Sequence, residues 1–373
     1  MHRILYIFTS CKRSGPIQIM YNLMAHMDRN QFQPTIITLY DEIDNESDLD
    51  KFIELGIEHY KVPLSKKDVI LGKTASLKKK IQELNPDLIH SMGVFPDYAV
   101  ARMNLGCQVI TLHNYMHDDY IAKFGMVQGS ILEMLQMYAI KKAKKVWTCS
   151  ESLSKIYMEK RKLKFDFIRN GVDISKYRKA ESQEEKDIVR ESLGLPLQSI
   201  IFTYTGQFIE RKDQGFLIDL FNNSNELKNH ILLLLGDGPN FDAEKKKGEN
   251  NKKILFTGNV SNVNQYLLAS DYYISCSHSE GLPTSVLEAL SCGLPVILSD
   301  ILQHKEILEI DERIGISYKL GDSEDCKKAI MEMQKKDLGK ASIAAYDCAY
   351  YHLSAETMSE TYQKEYLKVI NEQ

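Results

Sequence analysis

The fold of this 373-residue chain is read most directly from the segment His278–Asp300, HSEGLPTSVLEALSCGLPVILSD. The run just before it, DYYISCS, is short and apolar between polar residues, which is typical of a buried parallel strand. Pro283 suits the first turn of a helix, Gly293 suits its end, and VILS starts another strand. The segment therefore predicts a strand–loop–helix–strand unit whose loop lies at the carboxyl end of a parallel strand, where open α/β sheets bind ligands.

Two glutamates lie eight positions apart around the start of this predicted helix. Glu280 falls in the loop, and Glu288 falls about one turn inside the helix. The N-terminus of a helix presents unpaired N–H groups and a partial positive charge, and both suit a phosphate. One carboxylate can then meet a group beyond the phosphates, while the other can accept hydrogen bonds from two vicinal hydroxyls. For the segment alone, a surface helix with solvated carboxylates is the plainer alternative.

The pattern Glu, seven residues, Glu, in the setting EGLPTSVLEAL…G.PVI, resembles the retaining glycosyltransferases of family 4. This resemblance implies the GT-B architecture, an α/β fold with two Rossmann-like, doubly wound domains facing a central cleft and a C-terminal helix crossing back to the first domain. It also implies that the loop orients the donor sugar and phosphate and that the second glutamate holds the ribose. The donor-binding residues implied here are Glu280, Gly281, Leu282, Pro283, Thr284 and Glu288.

A second motif, FTYTGQFIERKDQGFLIDLF, begins at Phe202 and predicts a strand, a turn at Gly206 and an amphipathic helix. Members of the family carry a glycine followed by a basic residue and a later lysine, which contact the nucleotide diphosphate. By this resemblance Gly206 and Lys212 are donor-binding residues. Gln207 stands where many members have arginine, and Arg211 can supply that charge from next door. A solvated helix start is the alternative for an Arg–Lys pair taken alone.

Three further loops resemble donor-site segments of the family. HILLLLGDGPNFDAE and ILFTGNVSNVNQYLL each predict a strand followed by a loop, in the family's order. The resemblance puts Gly258 to Val260 near the nucleobase and makes Gly236 the residue that keeps its turn compact. In the first half, SCKRSGPIQIMYNLM follows the first predicted strand, and Gly15 is the implied phosphate contact. The family usually has paired glycines there, and this chain keeps one.

The segment TLHNYMHDDY contains a candidate catalytic residue, His113, which ends a predicted strand. The resemblance gives this position to a histidine near the donor sugar, where an imidazole can bond a hydroxyl and stabilise positive charge at the anomeric carbon. A polar strand-end histidine is the alternative. His117, Asp118 and Asp119 are interpreted as acceptor-loop residues, and His90 as structural. The expected catalytic residues are His113, Glu280, Arg211 and Lys212.

No metal and no cofactor are expected beyond the nucleotide-sugar substrate. The only Asp-x-Asp triplet, Asp48–Asp50, lies in an acidic run that is interpreted as solvated. Arg211, Lys212 and the helix N-terminus would instead neutralise the charge of the leaving group. The strand ends of the first domain offer no clear carboxylate nucleophile. We therefore expect front-face substitution, in which the departing diphosphate oxygen accepts the proton of the acceptor.

The domain prediction rests on the length of the chain and on the segment IRNGVD, which resembles the junction of the two halves in the family. Residues 1–170 form the acceptor-side Rossmann-like domain and residues 171–350 the nucleotide-sugar domain, and residues 351–373 form the returning helix. The N-terminal RILYIFTS is too short in its apolar part for a signal peptide and is interpreted as the first strand.

Composition limits the partners and the compartment. The seven cysteines are scattered, odd in number and lack a CxxC pair, which favours free thiols in a cytoplasmic protein. A net charge of −4 without a recognition motif excludes nucleic acid as an expected partner. The basic clusters LKKK, KKAKK and KRKLK have two interpretations, peripheral contact with anionic lipids at the inner face of the plasma membrane, or solvated lysines.

Three functions compete. The first is retaining transfer of a hexose from a nucleotide diphosphate donor, UDP-sugar in preference to GDP-sugar, to a glycan or lipid-linked glycan in the synthesis of a bacterial surface polysaccharide such as capsule, exopolysaccharide or lipopolysaccharide. The second is a nucleotide-sugar 2-epimerase of the same fold, and the third is an inert sugar-binding member. The spacing of the glutamates argues against the epimerase. Retention of both glutamates, Lys212 and His113 argues against the inert member.

Overall fold

Two parallel β-sheets, one in each half of the chain, form the framework of the molecule. The computed structural model describes residues 1–372. The chain divides into a first unit, Met1–Gly171 together with the segment that starts at Ala355, and a second unit, Val172–Ser354.

The sheet of the first unit has seven strands in the order β3-β2-β1-β4-β5-β6-β7. Residues on alternate sides of the first strand enter different core clusters, so helices cover both faces of the sheet. The apolar runs RILYIFT, PTIITLY, DLIH, QVITLH and KVWTCS predict five of these strands, and the two edge strands were not predicted. The strands are β1 (His2–Phe8), β2 (Phe32–Thr38), β3 (Glu58–Lys61), β4 (Leu88–Met92), β5 (Gln108–Leu112), β6 (Lys145–Thr148) and β7 (Asp166–Phe167).

Seven helices of the first unit follow these strands. Several begin at a serine whose hydroxyl accepts a hydrogen bond from an early amide of the helix, as Ser14 and Ser150 do. The helices are α1 (Gly15–Ala25), α2 (Leu49–Glu54), α3 (Lys66–Leu71), α4 (Ala75–Leu84), α5 (Val94–Met103), α6 (Met116–Lys142) and α7 (Glu151–Arg161).

Gly125 divides α6 into two helical halves that fold back on each other. Its φ of +73° and ψ of 170° are a conformation that glycine adopts without a steric penalty. His117 Nδ1 lies 2.7 Å from Glu133 Oε2, and Tyr120 Oη lies 3.3 Å from Gln136 Oε1. Side chains sixteen positions apart are therefore neighbours, and α6 is a helical hairpin with its turn at residues 124–127.

The sheet of the second unit has six strands in the order β10-β9-β8-β11-β12-β13. The strand HILLLL, second from one edge, is buried along its whole length, as expected for a parallel strand with helices on both sides. The strands are β8 (Ile200–Thr205), β9 (His230–Leu235), β10 (Ile254–Gly258), β11 (Tyr272–Ser275), β12 (Val296–Ser299) and β13 (Gly315–Tyr318).

The helices of the second unit connect these strands and cover the sheet. Short 3₁₀ turns at Glu210–Lys212 and Asn225–Leu227 flank the helix that follows β8. The helices are α8 (Gln183–Ser192), α9 (Gln214–Asn223), α10 (Phe241–Gly248), α11 (Val263–Leu268), α12 (Thr284–Ser291), α13 (Leu302–Leu308), α14 (Ser323–Met333) and α15 (Leu338–His352).

The last helix, α16 (Ala355–Asn371), packs into the core of the first unit. The returning helix was predicted from residue 351, but it begins at Ala355, because α15 extends to His352. Between the two helices, the carbonyl of Leu353 accepts a hydrogen bond from the amide of Val172. Tyr366 Oη lies 2.6 Å from His90 Nδ1, and His90 Nε2 lies 3.0 Å from Thr111 Oγ1. Both ring nitrogens of His90 are therefore bonded within the core, in the structural role that the sequence indicated.

Candidate active site

The loop between β11 and α12 lies at the carboxyl edge of the second sheet, as the sequence predicted. Pro283 does not lie inside the first turn: it precedes the helix, with φ −70° and ψ 104°, and the helix begins at Thr284. The helix ends at Ser291, and Gly293 follows with φ +70°. Pro283, the N-cap residue of α12, makes no side-chain capping hydrogen bond, and the first amide groups of a helix have no partners within the helix itself.

Glu280 lies in this loop, is only 8% exposed, and is paired with both members of the basic pair. Lys212 Nζ contacts its Oε1, and Arg211 Nη1 lies 3.1 Å from its Oε2. Arg211 also donates to the carbonyl of Ser279 at 2.8 Å. Burial alone would raise the pKa of Glu280, but the charges of Lys212 and Arg211 outweigh burial and lower the pKa to about 2.

Three glycines after adjacent strands hold this edge of the sheet together. The amide of Gly236 donates to the carbonyl of Gly258 at 2.9 Å, and the amide of Gly206 donates to Leu235 at 3.0 Å. Gly236 has φ +128°, and a Cβ at this position would collide with the carbonyl oxygen of Gly206. Only glycine allows this approach, so the turns after β8 and β9 are kept compact. Val260, two residues beyond Gly258, packs against the core between sheet and helices.

Glu288 lies in the middle of α12 and is half-buried. Burial raises the pKa of its carboxyl group to about 7, although a hydrogen bond from Tyr177 and the charge of Lys176 act in the opposite direction. Tyr177 is itself buried, and its backbone carbonyl accepts a hydrogen bond from Ser291 of the same helix. Tyr177 thus holds the carboxyl group of Glu288 in place, and this group ionises near neutral pH.

In the first unit, His113 follows the last residue of β5, as predicted. Its Nε2 is buried and has no hydrogen-bond partner in residues 1–372. Burial lowers the pKa of the imidazole to about 4, so the ring is neutral at physiological pH. A neutral ring nitrogen without a protein partner suits a polar group of a ligand.

The placement of His117, Asp118 and Asp119 in a loop is wrong, because all three lie in the first turn of α6. Their side chains are paired: His117 with Glu133, Asp118 with a lysine of α7 at 3.1 Å, and Asp119 with a lysine one turn later at 2.9 Å. These residues stabilise the helical hairpin and its contact with α7.

The interpretation of Asp48 as solvated is also wrong. The Asp48 side chain is 7% exposed and pairs with Arg13 at 3.1 Å and with Lys51 at 2.8 Å. It therefore ties the loop after β1 to α2. Gly15 is the first residue of α1 and is exposed, directly after the capping Ser14. Within residues 1–372, no group of three or more His, Cys, Asp or Glu side chains is arranged to hold a metal ion.

The sequence interpretation missed His304, which lies in the first turn of α13 and is fully buried. The charges of Glu280 and Lys212 both act on its imidazole. A signal was available, because LQHKEIL directly follows the strand VILS. Polar residues after adjacent parallel strands meet at one edge of a sheet.

Known proteins resemble both halves of the chain. The Glycosyltransferase Family 4 model matches residues 14–176, and the model Glycosyl transferases group 1 matches residues 185–346. The O-antigen biosynthesis glycosyltransferase WclY of Escherichia coli is 24% identical over 82% of each chain. The UDP-Gal:alpha-D-GlcNAc-diphosphoundecaprenol alpha-1,3-galactosyltransferase of Escherichia coli is 23% identical over 76% of this chain and 77% of its own.

Among solved structures, Anabaena Alr3699/HepE in complex with UDP superposes with a TM-score of 0.79 at 17% identity, over 98% of this chain and 100% of its own. Two doubly wound units and their sequence motifs define a glycosyltransferase of the GT-B fold. The chain belongs to the group 1 glycosyl transferases, with a family 4 module in its first half. No helix of residues 1–372 has both the length and the apolar character needed to cross a membrane.

Proposed function

We propose that the protein transfers a hexose, with retention, from a UDP-sugar in preference to a GDP-sugar to a glycan or lipid-linked glycan. The observation that carries this proposal is the cluster of Arg211, Lys212 and Glu280 beside the uncapped start of α12. Two cations and a helix N-terminus can together hold a diphosphate, and the adjacent carboxylate can hold sugar hydroxyls.

The proposed division of roles follows the carboxyl edge of the second sheet. Arg211 and Lys212 bind the diphosphate, and Glu280 with the loop through Thr284 orients the sugar and the phosphate. Glu288 accepts hydrogen bonds from the ribose hydroxyls. Further donor contacts are assigned to Gly15, Gly206, Val260, Gly281, Leu282 and Pro283.

The proposed chemistry needs no metal ion. As the bond to the anomeric carbon breaks, negative charge grows on the diphosphate, and the preorganised cations Arg211 and Lys212 stabilise it. The departing oxygen accepts the proton of the acceptor hydroxyl on the same face of the sugar, which gives retention. The neutral imidazole of His113 is assigned to the sugar, where it bonds a hydroxyl and stabilises the developing positive charge.

The proposed pathway is the synthesis of a bacterial surface polysaccharide. The names of two relatives support it, since one acts in O-antigen biosynthesis and the other galactosylates a diphosphoundecaprenol-linked sugar. The second of these names also supports a UDP-sugar donor and a lipid-linked acceptor.

Peripheral contact with an anionic membrane at the cytoplasmic face is part of the proposal. The helical hairpin α6 exposes a row of large apolar side chains, and lysines lie at its far end. Apolar groups inserted among lipid headgroups and lysines near anionic lipid both favour membrane binding. The exposed apolar side chains are Phe124, Met126, Val127, Ile131, Met134 and Tyr138.

A panel of UDP- and GDP-sugars incubated with the protein, without acceptor, tests the proposed activity. Slow hydrolysis of one UDP-sugar is the expected result and identifies the donor. Formation of an epimer would support a 2-epimerase instead. Absence of binding by every nucleotide sugar, measured by calorimetry, would contradict the proposal and support an inert member of the family.

A further inference from the structure

The protonation state of His304 follows from its hydrogen bonds. Its Nδ1 lies 2.9 Å from the carbonyl oxygen of Ser299 and 3.0 Å from the Ser299 hydroxyl, whose own proton is donated to Ser277. A carbonyl oxygen can only accept, so Nδ1 carries the proton of the ring. In the neutral ring Nε2 is then a lone-pair acceptor.

That acceptor is buried and unused. Nε2 of His304 has no hydrogen-bond partner within residues 1–372, and the residue is fully buried. A buried polar atom without a partner is unfavourable, and binding of a ligand is one explanation for keeping it. Burial lowers the pKa of His304 to about 4, and the ring is neutral in the free protein.

The charged groups around this nitrogen come from two other elements. Glu280, from the loop after β11, favours protonation of His304, while Lys212, from the turn after β8, opposes it. Glu280 is in turn neutralised by Lys212 and Arg211. On α13 itself, Lys305 is occupied by Asp300 at 3.6 Å. Tyr204 and Tyr273 also feel the charge of Glu280, and burial keeps the pKa of each hydroxyl far above neutral.

Binding of a diphosphate changes this balance. The phosphate charges compete with Glu280 for the two cations, and a buried carboxylate that loses its partners carries a large desolvation penalty. One proton taken up by the pair Glu280–His304 removes that penalty. The unpaired lone pair of Nε2 and the greater basicity of imidazole, by about two pKa units in water, both favour His304 as the site of this proton.

We propose that His304 is a positioning residue that takes up a proton at Nε2 when the diphosphate binds, so that its positive charge compensates Glu280 in place of Lys212. The inference rests on the proposed donor site. Glu280 then stays ionised and able to accept hydrogen bonds from the sugar, while Lys212 is available to the leaving group. Proton uptake raises the pKa of His304 in the complex, so the contribution to nucleotide affinity grows as the pH falls toward 6 and is lost above the raised pKa.

Nitrogen-detected NMR of the full chain labelled with ¹⁵N-histidine tests this directly, with UDP as the probe and GDP as a second probe. At pH 6.5 the free protein should show His304 protonated at Nδ1 only. Saturation with nucleotide should move Nε2 to the protonated range, while His90, bonded through both ring nitrogens, stays unchanged. A His304 that remains neutral in the complex would overturn the inference alone. Absence of binding by both nucleotides would overturn the proposed donor site and the inference with it.

The variant His304→Asn provides a second readout, because an amide can keep the bond to Ser299 but cannot titrate at Nε2. The ratio of UDP affinities of wild type and variant cancels the titration of UDP itself. This ratio should rise between pH 8.5 and pH 6, by up to about tenfold per pH unit for one proton. His26→Asn, which changes an exposed histidine just after α1 in the first unit, is the control and should give a flat ratio. A flat ratio for His304→Asn would contradict the proposal.

Discussion

Substitution of Glu288 by glutamine should stabilise the protein at alkaline pH while it weakens nucleotide binding. In the folded protein the pKa of Glu288 is raised from 4.5 to about 7 by burial. Between these two values the folded state binds more protons than the unfolded state, so the free energy of unfolding decreases as the pH rises. The stabilisation is fully present below pH 4.5 and is lost as the pH rises through about 7.

The magnitude follows from the shift of 7 − 4.5 = 2.5 units. At 1.36 kcal/mol per unit, ionised Glu288 costs up to about 3 kcal/mol of stability at pH 8. Glutamine has nearly the same shape and cannot ionise. We therefore expect Glu288→Gln to exceed the wild type in free energy of unfolding by less than about 1 kcal/mol at pH 5 and by about 2–3 kcal/mol at pH 8.

Urea unfolding of wild type and variant at pH 5, 6, 7 and 8 measures this difference, in which the other titrating groups cancel. Glu312→Gln, at an exposed glutamate beyond α13, is the matched control and should show no pH-dependent difference. A difference for Glu288→Gln that is constant with pH, or that shrinks as the pH rises, would refute the reasoning. Nucleotide affinity at pH 8 should fall by about 1–3 kcal/mol, because the amide is a poorer acceptor for two ribose hydroxyls.

Four further outcomes are expected. Arg211→Ala should lower turnover by about 10²-fold or more, and turnover should fall by more than stability, because Lys212 still pairs with Glu280. EDTA should not change wild-type activity, because side chains meet the charge on the leaving group; recovery that depends on magnesium or manganese would contradict this. His113→Ala should cut kcat by roughly 10²-fold and leave UDP affinity nearly unchanged, and a parallel loss of both would argue for a binding role. Gly236→Ala should destabilise the second unit by more than about 1 kcal/mol in urea unfolding, since its Cβ would collide with a backbone carbonyl. The double variant Met126→Ser, Val127→Ser should bind phosphatidylglycerol vesicles more than tenfold less in flotation, because each lost apolar side chain contributes about 1.5 kcal/mol or more to membrane binding. Equal flotation of variant and wild type would exclude α6 as the membrane contact.

Strands with continuous apolar runs were predictable, because the composition of such a run by itself indicates that the strand is buried. VILS and ILLLL are strands in the structure close to the predicted bounds. The edge strands were not predicted: Glu58–Lys61 and Asp166–Phe167 are short, and no residue in them is fully buried. Their pairing depends on the neighbouring strand and not on their own composition.

The residues of the candidate site were likewise predictable only in part. The sequence singled out Arg211, Lys212 and Glu280, and the structure brings them together. The burial of Glu280 between two cations could not be predicted from a local pattern, because Lys212 and Arg211 lie 68 and 69 positions away from it in the chain. The hairpin of α6 was not predicted because its local signals are two glycines within an otherwise helical spacing, Gly125 at the turn and Gly129 where the halves approach. Asp48 was misread because Arg13, one of its two partners, lies 35 positions away in the chain.

The measurement that tests the central claim most directly is ¹H NMR of donor turnover in EDTA, observing the anomeric proton of the sugar. With the UDP-sugar identified by the donor panel, we predict release of a sugar whose first-formed anomer has the configuration of the donor, at a rate unchanged by the chelator. The same experiment with Arg211→Ala should show the donor consumed about 10²-fold more slowly. A first-formed anomer of inverted configuration, or turnover that stops in EDTA and resumes with a divalent metal, would contradict the account.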